Sequence, residues 1–259
     1  MVNISRRSLL QTMGMSALGV SLGSISLAMT GEGSSEEVMS NWLDTLFVNS
    51  AKLGNRQTSG LQWQSAMDGI YAAAPLDPLK KKIGFENSLE NILDHMPAER
   101  GELFYEIKLP GSANSKTADG REAHRALITK IAHIRKGRSI PPHGHSNMVS
   151  AFLCLSGEFE VQQFDRLEDH DDHMIIRQAT YEKKAGVGTW SSISDYRNNV
   201  HWLTAKSDDC FLFTSKLLNL EDNRKLKGRM NIDVHRAVAL GSGMLKAPKI
   251  TFRQAAELY

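Results

Sequence analysis

Gly137-Arg138-Ser139-Ile140-Pro141-Pro142-His143-Gly144-His145 decides how the rest of this chain is read. Two histidines at i and i+2 on an extended backbone project from one face. Their imidazole nitrogens can then share a divalent ion, which takes such donors at about 2.0–2.2 Å. Pro141 and Pro142 restrict the backbone just before the pair, so less entropy is lost in ordering it. A third donor has to come from elsewhere. Asp195-Tyr196-Arg197-Asn198-Asn199-Val200-His201 supplies one, with a polar turn feeding a strand that begins at His201.

Working outward, the surroundings read as β-structure. Leu103, Tyr105, Ile107 and Leu109 alternate as a half-buried strand should. A Gly-, Ser- and Asn-rich loop over 110–121 follows. Further strands are expected over 126–134, 148–164, 174–181, 190–194, 200–205 and 210–218, separated by Gly, Asn and Asp. Short strands at this spacing predict an all-β barrel or double sheet. The charged run 221–230 reads as a loop, and a short helix is expected over 252–259.

Residues 34–97 have another character. Val38, Met39, Trp42, Leu43, Leu46 and Phe47 recur at helical spacing behind a Ser34/Glu37 capping box, with Gly54 as a stop. A second helix places Leu61, Trp63, Met67, Ile70, Tyr71 and Ala74 on one side and ends at Pro75. A third carries Phe85, Leu89, Ile92, Leu93 and Met96 and ends at Pro97. The expected organisation is a leader over 1–32, a helical extension over 33–98, and a barrel with a C-terminal tail over 99–259.

The histidine stretch resembles the first motif of the cupin family: a Gly, five residues, His-x-His, a Glu, and a closing Gly. Gly137, His143, His145 and Gly157 fall in register, while Ser150 stands at the Glu position. The second cupin motif is matched at His201, with Tyr196, Asn198 and Ala205 at its Pro, Gly and Asn places. The resemblance implies an all-β cupin, a jelly-roll (double-stranded β-helix) barrel behind an N-terminal α-helical extension. It also implies a metal on His143, His145 and His201. Without the Glu, the pattern is similar to that of three-histidine thiol dioxygenases, the cysteamine dioxygenase and plant cysteine oxidase branch, over roughly 124–220. That likeness implies Fe(II), which would deprotonate a coordinated thiol, and O2 as co-substrate, with both oxygen atoms ending on sulfur as a sulfinic acid. Zn, Ni or Mn on the same ligands in an isomerase or lyase stays open. So does a barrel that captures a small molecule without oxidising it.

The first thirty residues suggest where such a protein works. Arg6 and Arg7 are the only charges in residues 1–11, and Leu9 stands two places after the second Arg. An uncharged run, Thr12 to Met29, leads to small residues offering cleavage sites between about 28 and 33. This resembles a twin-arginine signal. It implies the twin-arginine (Tat) translocase as a partner during export, and a periplasmic or extracellular destination. The body has no apolar run of about 20 residues, so no membrane span is expected after signal removal. With 31 Lys+Arg against 29 Asp+Glu among 259 residues, there is no basic excess of the kind nucleic-acid binding needs. Cupins commonly dimerise through sheet edges, so a homodimer is an expected partner state unless the helices cover that edge. Cys154 and Cys210, the only cysteines, read as buried free thiols. Cys154 lies four residues after Ser150, at the same strand parity.

Other polar residues compete for attention. Asp169-His170-Asp171-Asp172-His173 reads as a solvated loop. His124 and His133 flank the strand before the motif, and His133 reads as a satisfied histidine. Arg125, Arg135 and Tyr196 are candidates for anchoring a substrate carboxylate or supplying a proton. Lys183, Lys184 and the Lys/Arg of 224–229 read as solvent-facing charges.

Overall fold

The computed structural model describes residues 34–87, 89, 102–109 and 127–259. The expected leader, the end of the third helical segment, the 110–121 loop, His124 and Arg125 lie outside those residues. Among the described residues no helix is long and apolar enough to cross a membrane.

Among the described residues the first helices are α1 (Ser35–Gly54), α2 (Gly60–Ala72) and α3 (Leu76–Lys82), and residues 85–87 and 89 are helical again, at the start of the third expected segment. Ser34 caps α1 by accepting from the Glu37 amide at 3.3 Å. The full reciprocal capping box falls on α2 instead, between Ser59 and Gln62. The expected stop at Gly54 is where α1 ends. α3 falls between the second expected helix, which ends at Pro75, and the third, which carries Phe85, and it involves Pro75 and Pro78. They stand at its N-cap and in its first turn, where no intrahelical N–H bond is lost. Leu61, assigned to the packed side of α2, is 43% exposed.

The β-body consists of β1 (Glu102–Ile107), β2 (Ile128–Ile134), β3 (Ser139–Ser146), β4 (Met148–Ser156), β5 (Phe159–Asp169), β6 (His173–Ala185), β7 (Trp190–Ile193), β8 (Val200–Ala205) and β9 (Cys210–Leu218). Three short strands follow, β10 (Lys227–Asn231), β11 (Val238–Gly241) and β12 (Met244–Pro248), and α4 (Phe252–Leu258) closes the chain. The described strands form two sheets, β1-β2-β9-β4-β7 and β10-β3-β8-β5-β6-β12-β11, and their neighbours pair antiparallel. Sequence neighbours β2 and β3, β3 and β4, and β4 and β5 lie in opposite sheets, while β2-β9-β4-β7 and β3-β8-β5-β6 form the two four-stranded halves. That order is a double Greek key jelly roll, as expected for the fold class.

β8 and β9 lie where the sequence placed them. The expected strand over 148–164 is instead two strands, broken at Gly157, which has φ +81°. A Cβ there would come within 2.9 Å of the Cys210 Cα, so both space and backbone call for glycine. The expected loop at 221–230 contains most of β10, and β11 and β12 were not foreseen.

Parity sorts the side chains of β4 and β9. Val149, Ala151, Leu153, Leu155, Phe211, Phe213 and Leu217 face outward into a core shared with Trp42, Leu46, Trp63, Met67 and Tyr71 of the helices. Trp42 Nε1 donates to the Ile70 carbonyl at 2.8 Å, and the Tyr71 and Ser215 hydroxyls are 2.6 Å apart. Phe152, Cys154 and Leu212 face inward, with Phe159, Val161, Ile193 and Leu203. Because both faces of β4 are covered, it reads as a continuous apolar run rather than an alternating one.

Candidate metal centre

His143 and His145 stand on β3 and His201 on β8, and His143 is the direct cross-strand partner of His201. The two prolines set this register. Proline has no N–H for the ladder, and between Ile140 and His143 the pairing slips, three steps on β3 matching two on β8. This bulge turns His143 and His145 toward His201. Gly144 has to be glycine for space: a Cβ there would lie 2.6 Å from Asn199 Oδ1. The Asn199 side chain accepts from the His145 amide at 3.3 Å and donates to the carbonyls of His145 at 3.1 Å and Ser194 at 3.0 Å. Arg166 adds a bond to the His145 carbonyl at 2.6 Å, and Asp195 accepts from Arg166 and from the Asn147 amide. The β3 segment is thereby clamped from both sides.

The three rings are 2%, 9% and 8% exposed, and their nearest candidate donor atoms all lie within 4.8 Å of one another. Donors about 2.1 Å from one ion lie about 3–3.4 Å apart, so the rings would draw in slightly to share a metal. His143 Nδ1 faces the Pro141 carbonyl at 2.7 Å, and His201 Nδ1 faces the Asn199 carbonyl at 3.1 Å. An Nδ1–H donated to these carbonyls leaves the Nε2 lone pair free as a ligand atom. Burial holds the imidazoles neutral: His201 is lowered to about 4, and His143 and His145 are well below the ordinary histidine value. Desolvation is the main cause at each. His145 Nδ1 is buried without a hydrogen-bond partner. Neutral, convergent and desolvated imidazoles are the donor set a divalent first-row metal takes, so the residues fit such an ion.

The rings open onto a cavity of about 60 Å3. Its apolar walls include Ile140, Phe152 and Leu203, and its polar lining includes Ser150, Thr214, Lys216 and Arg229. The Ser150 hydroxyl donates to the Ser215 carbonyl at 3.0 Å. No Asp or Glu lines the cavity among the described residues. Lys216 is the cross-strand partner of Ser150. Burial, with help from Lys130 and Arg229, lowers it to about 8.

The other candidates fall elsewhere. His133 is buried against Phe211 and reaches Asp209 at 3.2 Å. Tyr196 is exposed and donates to Glu221 at 2.9 Å. Arg135 is not among the cavity residues. The 169–173 segment is the β5–β6 turn, with Asp169 held by Lys227 and Lys249. Cys154 faces inward, as its parity required, but lies beside the Gly157 turn rather than the cavity, and burial pushes its thiol up to about 12. Lys183 and Lys184 are exposed. Arg229 corrects the reading of 224–229 as solvent-facing: the slip in the β10–β3 register between Lys227 and Met230 falls at Arg229, which lines the cavity. Sequence reasoning also missed Lys216. Its signal was a lysine at the inward parity of β9, two and four places after Thr214 and Leu212.

The fold and site together describe a jelly roll with a three-histidine centre between β3 and β8. No protein-family profile and no curated protein matches the chain. Similar solved structures include KdgF from Halomonas sp., at 12% identity and TM-score 0.32, covering 49% of this chain and 87% of that one. The Schizosaccharomyces pombe Cnp3 cupin domain is 13% identical at TM-score 0.32, covering 51% and 74%. Hazelnut (Corylus avellana) vicilin is 14% identical at TM-score 0.33, and this chain covers only 34% of it, with 54% of this chain aligned.

Proposed function

We propose that this chain is an exported, metal-dependent cupin that holds Fe(II) on His143, His145 and His201 and uses O2 to oxidise a small thiol. The observation that carries the reading is the donor set: three buried neutral imidazoles converge where no carboxylate lines the cavity. Bound iron would supply Lewis acidity toward sulfur and electrons toward dioxygen. A thiol and one O2 balance to one sulfinic acid, sulfur losing four electrons and dioxygen gaining them. The chain's own part is to present three imidazole lone pairs, to fix two rings through the Pro141 and Asn199 carbonyls, and to keep the site dry with Ile140, Phe152 and Leu203. The twin-arginine pattern at Arg6-Arg7 supports export of the folded protein.

Anaerobic loading with Fe(II), followed by oxygen-electrode assays over a panel of thiols, tests the reading. One iron per chain and one O2 consumed per sulfinate formed is the expected result. Stoichiometric zinc from native expression with no oxygen uptake on any thiol would sink it, and would leave a zinc enzyme or a binding barrel.

A further inference from the structure

The turn between β7 and β8 supports two of the three histidines, and it is gripped from outside the barrel. Within residues 194–199, the Asn199 side chain bonds both the amide and the carbonyl of His145, and the Asn199 carbonyl faces the His201 ring. Asn198 sits in the left-handed region at φ +54°, which asparagine tolerates better than most residues but still at a cost. A turn held in that shape depends on bonds from its surroundings.

Some of those bonds come from the barrel. Asp165 accepts from the Asn198 amide at 2.8 Å, and the Ser194 amide donates to the Arg197 carbonyl at 3.0 Å. Others come from α2. Gln64 and Asp68 stand at i and i+4 and share one face of that helix. Gln64 Nε2 donates to the carbonyls of Ser192 at 2.7 Å and Arg197 at 3.4 Å. Asp68 accepts from the Ser192 hydroxyl and from the Arg197 guanidinium, each at 2.7 Å. The helix thereby holds both the strand that enters the turn and the turn itself. This placement is selective. Trp63, Met67, Ile70 and Tyr71, the other buried side chains of α2, belong to the core over β4 and β9. Gln64 is the exception, 0% exposed with its Oε1 buried and unpartnered. An apolar side chain would fill the same position without leaving a buried acceptor unmet, so packing does not account for a glutamine there. Its amide donors do, because both bonds go to the backbone of the turn and its approach.

We propose that Gln64 and Asp68 are positioning residues for the three-histidine centre, acting through the 194–199 turn and Asn199. This rests on the metal reading above and goes beyond it, since it makes the helical extension part of the centre and not only a cover for the sheet. Loosening α2 at these two residues frees Asn199, and with it the His145 backbone and the His201 ring. His143, held by the Pro141 carbonyl, stays in place.

The test uses the full chain loaded anaerobically with Co(II), whose visible bands report ligand geometry, with a chromophoric chelator in competition. Gln64→Met should weaken cobalt binding about tenfold or more and shift the visible bands. The Asp68 side chain is 39% exposed, so Asp68→Ala should fold even where Gln64→Met does not. It should weaken binding about threefold or more, and Asp68→Asn, which still accepts a hydrogen bond, should restore most of the affinity. Met67→Ala loosens the same helix over the strands instead of the turn. It should lower stability in urea by more than Asp68→Ala does, and leave cobalt affinity and bands unchanged. Wild-type affinity and bands in Asp68→Ala, or an equal loss in Met67→Ala, overturns the inference and leaves the metal reading intact. If the chain takes up no metal, the metal reading fails, and amide hydrogen exchange decides the inference alone. Exchange at the His145 amide about tenfold faster in Asp68→Ala than in both wild type and Met67→Ala supports it, and an unchanged rate overturns it.

Discussion

The two ends of the barrel interior are built from the same strand faces and differ in chemistry. On β4, Ser150 and Cys154 share inward parity; on β9, Lys216 and Cys210 do. At the open end the inward positions are Ser150, Thr214 and Lys216, beside the histidines. At the closed end Cys154 and Cys210 pack with Phe159, Val161 and Ala205. Burial disfavours charge at both ends, pushing the Cys154 thiol up to about 12 and Lys216 down to about 8. The closed end answers that cost by carrying only weakly ionising groups. The open end keeps Lys216, Arg229 and three imidazoles, and shifted ionisable groups gathered in a cleft mark a candidate functional site.

Removing one imidazole should break the open end and leave the closed end standing. His201→Ala is expected to lower metal content after anaerobic loading from one ion per chain to less than about a tenth, read by elemental analysis. Full metal content in this variant would show that the third ligand lies elsewhere. Phe159→Ala reverses the experiment. Phe159 is 0% exposed at the closed end, so its truncation should cost about 3–5 kcal/mol in urea unfolding. The folded fraction should still bind one metal. Loss of metal stoichiometry would show that the two ends do not behave separately.

Gly144→Ala probes the clamp between them. Its new Cβ would press on Asn199 Oδ1, displacing the side chain that ties down both the amide and the carbonyl of His145. Metal affinity should fall by about 10- to 100-fold, the size of effect expected when a ligand's support is lost. A competition titration with a chromophoric chelator reads this, and unchanged affinity would remove Asn199 from the support of the site. At the closed end, Cys154→Ser should move unfolding by only about 1 kcal/mol, because the carbonyls of Ser156 and Gly157, 3.5 Å from the sulfur, can accept from a hydroxyl. Native Cys154 should also resist alkylation at pH 8, where a thiol near pKa 12 is about one part in 10^4 thiolate.

The closed end was largely legible in the sequence, and the open end only in part. Inward parity from Ser150 to Cys154 followed from a period of two, and the helical faces of Trp42 and Trp63 from a period of 3.6. His143 and His145 were legible because a bulge built from two prolines writes itself into sequence. Their meeting with His201 was not fixed by local pattern, since strand register depends on that bulge and on Asn199 bridging 54 positions back to His145. Arg229 was hidden for another reason. It lies in a run of charges that composition assigns to solvent, and only the pairing of β10 with β3 carries it to the cavity. β10 to β12 were missed because each is only four or five residues long and none alternates clearly, and their packing comes from Met174, Ile176 and Ile232 in a third small cluster.

Tyr196 gives the smallest expected effect and tests where the open end stops. Its sequence position, five residues before His201, made it a candidate for holding a substrate carboxylate. The structure leaves it 53% exposed, donating to Glu221 at 2.9 Å, with Arg224 over its ring at 5.4 Å. Glu221 raises its pKa, so the phenol stays protonated at neutral pH and offers an anion no charge. An exposed hydrogen bond of this kind contributes little, so Tyr196→Phe should change stability by no more than about 0.5 kcal/mol. It should leave metal affinity where it was. A tenfold loss of metal affinity would place Tyr196 inside the support of the site. The open end would then extend past Lys216 and Arg229 to the loop that carries Asp195, and the Tyr196–Glu221 bond would belong to the site rather than to the scaffold around it.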